Sequence, residues 1–150
     1  MSTAQGTMTP TAFVSAVSRE VEAYFRRAGT PLRKSMRSWL AQFWWGDDRS
    51  VHYELWVHGT TLRLEIGLHF ESSAARNRAL YTAFAQHLIE IQETLGETLW
   101  LEEWDKGWAR LYETVPLYPL DDARVYAVAG RMCEIMECLQ PMYEALDGSR

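Results

Sequence analysis

Residues 61–71 alternate without a break. Leu62, Leu64, Ile66, Leu68 and Phe70 take one parity, and Arg63, Glu65, His69 and Glu71 take the other. Successive side chains on a strand point to opposite faces, so this run reads as a strand with one buried face and one polar face. Residues 51–57 repeat the pattern, with Val51, Tyr53, Leu55 and Val57 set against His52, Glu54 and Trp56. The two runs are expected to pair as an antiparallel hairpin. Two further stretches, 98–104 and 108–115, flank Asp105-Lys106-Gly107, which suits a type I turn with a glycine bulge.

Helical spacing supplies a cover for the aliphatic face. After Pro10, the residues Phe13, Val14, Val17, Val21, Tyr24 and Phe25 recur at helical intervals, with Thr9 or Thr11 as cap and Ala28-Gly29 as terminator. Thr30-Pro31 reads as a restart, and Leu32, Met36, Trp39, Leu40 and Phe43 as the stripe of a second helix ending at Gly46-Asp47-Asp48. Ser72 or Ser73 caps a long helix to about Leu95, with Leu80, Phe84, His87, Leu88, Ile91 and Leu95 on its buried side. Asp121 or Asp122 caps a last helix to about Leu146, in which Pro141 predicts a kink or an early end. The expected fold class is α+β, in the order α-α-β-β-α-β-β-α. A four-stranded, mostly antiparallel sheet carries the two long helices on one face. Residues 1–10 are expected to be a disordered tail, and 11–150 a single domain, as the length of 150 residues suggests.

The opposite sheet face is unusual. By parity it carries His52, Glu54, Trp56, Arg63, Glu65, His69 and Glu71 from the first hairpin. The second adds Trp100, Glu102, Trp104, Trp108, Arg110 and Tyr112. Trp, Tyr and Arg dominate interface hot spots, so Trp56, Trp100, Trp104, Trp108, Arg110 and Tyr112 are candidates for an interaction surface. The two N-terminal helices folding over this face, a second copy of the chain, and an open binding surface are the three alternatives.

His52-Tyr53-Glu54 and His69-Phe70-Glu71 each set an imidazole and a carboxylate on one strand face, a plausible ligand pair. Register decides whether His52, Glu54, Glu65 and His69 can meet. A turn at Gly59-Thr60 sets Glu54 against Glu65, two like charges. A turn at His58-Gly59 sets Glu54 against Arg63 and His52 against Glu65, two favourable pairs. In that register His69 lies four residues beyond the position facing His52, about 14 Å at roughly 3.4 Å per residue. The expectation is therefore cross-strand salt bridging and no metal.

Other chemistry is thinly represented. The formal net charge is -5, which disfavours a nucleic-acid binder. The basic excess sits in residues 1–45, where Arg26, Arg27, Arg33, Lys34 and Arg37 form one patch interleaved with aromatics. That patch is expected to pair internally, with nucleic-acid contact as the lesser reading. Glu102-Glu103 and Asp121-Asp122 read as structural carboxylates, and His87 as a boundary histidine. Cys133 and Cys138 are five apart on one helix and point in different directions, so two reduced thiols are expected. No catalytic or cofactor motif of the nucleophile-elbow, zincin, P-loop or dinucleotide type occurs, so no cofactor is expected. The N-terminal residues lack the charge and apolar run of a secretory leader, and no run reaches the ~18 apolar residues of a membrane span. A cytoplasmic location and no membrane partner are expected.

Residues 52–146 resemble an uncharacterised bacterial domain family found C-terminal to restriction-endonuclease-like domains. The likeness rests on the ββαββα order and on Ile91-Gln92-Glu93-Thr94-Leu95-Gly96 followed by Leu99-Trp100-Leu101-Glu102-Glu103-Trp104. The acidic-plus-ExK signature of such nucleases is absent, so the resemblance implies a recognition or assembly module and carries over no catalytic residue. The layout is also similar to secretion-chaperone-like folds, which dimerise and bind peptides; that is analogy of fold alone. The leading expectation is a non-enzymatic binding or assembly module, homodimeric or joined to another protein. The alternatives are a small metal-dependent hydrolase or nuclease accessory using His52, Glu54, Glu65 and His69, and a nucleic-acid module using the basic patch.

Overall fold

The computed structural model describes residues 8–147. It is α+β, with four α-helices and a six-stranded antiparallel sheet among the described residues. Helix α1 spans Pro10–Arg27. Strands β1 (Arg33–Arg37), β2 (Leu40–Trp44), β3 (Val51–His58) and β4 (Arg63–Phe70) follow as a meander. Helices α2 (Ala74–Gln86) and α3 (Leu88–Leu95) lead to β5 (Trp100–Trp104), β6 (Trp108–Pro116) and α4 (Asp122–Asp147). The sheet order is β1-β2-β3-β4-β6-β5, so β6 returns between β4 and the outer strand β5.

Local signals account for several boundaries. The Thr9 side chain accepts from the Ala12 N–H at 3.1 Å, and Pro10 takes the first helical position, where no N–H is missed. The chain leaves α1 through Gly29 at φ 77°. Ser73 caps α2 by accepting from the Arg76 N–H. Asp105-Lys106-Gly107 joins β5 to β6 where the sequence places a turn, but Lys106 at φ 65° and Gly107 at φ 74° are both left-handed, so the turn is not the type I expected. The expected tail falls mostly outside the described residues. Of its last three, Met8 donates its N–H to the Leu120 carbonyl, Thr9 caps α1 and Pro10 begins it.

The expected second helix is a hairpin. Residues 33–44 form β1 and β2 around Ser38-Trp39, with Ser38 at φ 40°. The apolar residues at 32, 36, 39, 40 and 43 fit a helical stripe, yet Ala41 and Phe43 are buried on a strand that pairs with Leu55 and Tyr53 of β3. Tertiary pairing outweighs the local pattern here. The four-stranded sheet therefore gains two strands. The single long helix expected over 73–95 breaks at His87, which sits at φ -111°, ψ 8° and leaves α2 and α3 as separate helices. The last helix continues through Pro141 without ending early.

The core lies between the sheet and the helices. Phe13, Val14, Val17 and Val21 of α1 meet Met132, Ile135, Met136 and Leu139 of α4 over Tyr53, Leu55, Ile66 and Leu68 of the central strands. Each such side chain contributes about 1.5–3 kcal/mol on full burial. Helix α1 packs on α4 and β2, and so joins the same layer as the other helices. The expectation that N-terminal helices cover the second sheet face is thereby corrected: one such helix does not exist, and the other lies on the aliphatic side.

Candidate functional site

The helix-free face centres on β3 and β4. Their register pairs His52 with His69, Glu54 with Gly67 and Trp56 with Glu65. Both registers considered from the sequence are thus wrong. The connection is a four-residue loop, 59–62, with Leu62 at φ 55°. The Trp39 ring lies over Gly59 so closely that a Cβ there would come within 2.6 Å of it. The slip moves whole pairs, so every side chain keeps its face while its neighbours change. The imidazoles expected about 14 Å apart lie on one rung, nearly parallel, with ring centroids 5.8 Å apart.

Two carboxylates converge on this rung. His52 Nε2 is 2.9 Å from Glu54 Oε2 and 3.9 Å from Glu71 Oε1. His69 Nδ1 is 3.3 Å from Glu54 Oε2 and 3.2 Å from Glu71 Oε2. Glu54 reaches across because its partner on β4 is Gly67. A Cβ at Gly67 would stand 2.4 Å from the Leu111 carbonyl oxygen and 2.6 Å from Tyr112 Cα, so no side chain fits there. The outer nitrogens are also engaged. His52 Nδ1 lies 2.8 Å from the Arg49 carbonyl oxygen, and His69 Nε2 lies 2.6 Å from Glu65 Oε2. His52, Glu54, His69 and Glu71 thus offer one ligand atom each, all within 4.8 Å of one another.

Glu65 anchors the neighbouring charges. Its side chain is buried and accepts from Arg110 Nη1 at 2.7 Å, with His58 Nε2 at 3.0 Å. Burial pushes its pKa up, but the hydrogen bond and charge of His69 and the charge of Arg110 outweigh it and hold the carboxyl below its usual value. Glu71 is lowered by His69 and His52 in the same way, against its own desolvation. Burial works against a charged His69, yet hydrogen bonds to Glu65 and Glu71 and the Glu54 charge raise it to about 9.

The remaining sequence candidates divide between two flanks. On the β6–β5 flank, Arg110 donates to Glu102 and lies 4.4 Å above the Trp104 ring and 4.1 Å above the Tyr112 ring. Trp104 also packs on Trp108, Trp56 rests on His58, and Trp100 at the outer strand is 58% exposed. On the β1–β3 flank lies a cleft of about 530 Å³, walled by Arg37, Gln42, Arg49, His52 and Glu71. The basic patch does not stay together. Arg26 and Arg27 end α1, where cations suit the helix C-terminus. Lys34 pairs with Glu22 at 2.8 Å and Arg33 with Asp47 at 3.0 Å, while Arg37 joins the cleft. His87 pairs with Glu90 at the surface. Cys133 and Cys138 are free thiols; burial, with the Glu137 charge, pushes Cys133 up to about 11.

Sequence reasoning passed over Gln42 and Arg49. The first was assigned to a helix that is not there, and the second lies in a connecting loop. Glu71 had a signal, the repeated His-x-Glu triplet, which the register argument set aside. Compared with family models, curated proteins and solved structures, the chain finds no match.

Proposed function

We propose that the chain is a non-enzymatic binding and assembly module that pairs with a second copy of itself through the β6–β5 half of the helix-free face. The supporting observation is one-sided layering. All the helices lie on the aliphatic side, so no helix covers the Trp104–Arg110–Tyr112 stack; Trp100 is 58% exposed and Trp56, Trp104, Trp108 and Tyr112 are half-buried. Glu65, Glu102 and the two rings already hold Arg110 before any partner arrives, which lowers the ordering cost of association. Its mixture of flat rings and a guanidinium is the composition of interface hot spots. A stable pairing needs about 1,200–2,000 Å² of total buried surface.

Light scattering after size exclusion tests this. The expected result is a dimer at micromolar concentration that becomes a monomer in Trp100→Glu and Tyr112→Glu. Trp100 is at the sheet edge, so the first variant keeps its fold. A wild-type monomer across that range, or a dimer untouched by both substitutions, overturns the reading.

A further inference from the structure

We infer that His52 Nε2, His69 Nδ1 and the carboxylates of Glu54 and Glu71 form a site for one divalent transition-metal ion of the zinc class. The spacing is suitable. Ligands on a tetrahedral centre with bonds of about 2.0–2.1 Å stand about 3.3–3.4 Å apart. The imidazole–carboxylate distances here run from 2.9 to 3.9 Å.

Hydrogen bonding orients both rings for this task. A backbone carbonyl can only accept, so His52 Nδ1, 2.8 Å from the Arg49 oxygen, carries a proton. Ionised Glu65 can only accept, so His69 Nε2, 2.6 Å away, carries one too. The neutral tautomers therefore turn the lone pairs of His52 Nε2 and His69 Nδ1 inward, toward Glu54 and Glu71. This is the carboxylate– or carbonyl–histidine arrangement that fixes metal-ligating imidazoles.

Charge and placement agree. Glu54 and Glu71 balance a divalent ion, while Glu65 is already balanced by Arg110. The ligands stand on β3 and at the end of β4, on adjoining pairs of the sheet's centre. A mixed nitrogen–oxygen set suits zinc, cobalt, nickel or manganese better than calcium or magnesium, which favour oxygen throughout. His52 and Glu71 also wall the cleft of about 530 Å³, which gives an ion an entry route and room for a water or exchangeable ligand. Arg37 and Arg49 line the same cleft, so an anion there would have cationic partners beside the ion. The site adjoins the surface proposed for self-association, since His69 packs edge-on against Trp104 and shares Glu65 with Arg110, but the inference does not rest on that reading.

The test is titration of chelator-treated full-length protein with zinc by calorimetry, and with cobalt(II) by visible absorption. One ion per chain is expected, with cobalt bands of nitrogen–oxygen coordination and no thiolate charge-transfer band. Glu71→Gln should weaken zinc binding at least tenfold, and His52→Gln at least a hundredfold, with His87→Gln unchanged. Circular dichroism checks each variant. Glu71 is half-buried at a strand end, so its substitution reports even if His52→Gln fails to fold. Absence of stoichiometric binding would overturn the site and leave a proton-bridged ion network. Binding unaffected by Glu71→Gln, lost equally in His87→Gln, or showing a thiolate band would overturn it as well.

Discussion

Glu65 has no solvent contact, yet it is met by Arg110, His69 and His58. Removing one charge from such a group leaves the others buried without a counterion, a loss of about 3–5 kcal/mol. Arg110 keeps its second partner Glu102, so Glu65→Gln is expected to cost about 3 kcal/mol in urea unfolding, the lower end of that range. Glu102 is 38% exposed, and Glu102→Gln should cost less than about 1 kcal/mol. Equal costs for the two would contradict the burial argument. The same residues show what is legible one position at a time. Alternation correctly assigns His52, Glu54, Glu65 and His69 to one face. It is blind to register, because a slip by whole pairs preserves every face. The choice by best-looking ion pairs failed since it considered only two-residue turns. It also ignored Gly67, whose missing side chain makes room for Glu54.

At the scale of elements, Asp48 in the β2–β3 connection ties that loop to α2. It accepts from the Ser50 hydroxyl at 2.6 Å and N–H at 2.9 Å and pairs with Arg76. Burial acts to raise its pKa, but these hydrogen bonds and the Arg76 charge lower it from 3.8 to about 2. A carboxylate with a depressed folded pKa stabilises the fold above its unfolded value and loses that contribution as pH falls through the folded one. Asp48→Asn should therefore melt below the wild type at about pH 6, and the gap should shrink below about pH 4 and close near pH 2. A gap that persists unchanged in acid would assign Asp48 a purely geometric role. Elements bounded by caps and glycine were readable: α1, the start of α2, and the β5–β6 turn. The β1–β2 hairpin was not. Its five-residue strands fit helical and alternating templates alike, and the Ser38-Trp39 turn lacks the glycine or asparagine that announces one.

For the whole molecule, the aliphatic side of the sheet is secured by α1 and α4 over β3 and β4, whereas β1 has contact only with β2 in the sheet. Hydrogen exchange should follow this gradient. Amides of β3, β4 and β6 should open only by global unfolding, and those of β1 by local fraying at least tenfold faster. Uniform protection across the sheet would mean that β1 has a cover the described chain does not supply. The layer architecture itself was legible from parity, since an aliphatic strand face requires helices. That α1 joins the same side was not, because that depended on residues 32–45 being strands.

The two free edges of the sheet differ in sign. Strand β1 presents Arg33, Lys34 and Arg37, and β5 presents Glu102 and Glu103. A two-fold axis along either edge would lay that strand against its own copy and bring like charges opposite one another. Symmetric continuation of the sheet from molecule to molecule is thus electrostatically disfavoured at both ends, although Asp47, Glu22 and Arg110 already offset part of that charge. The face-to-face pairing proposed above would use neither edge.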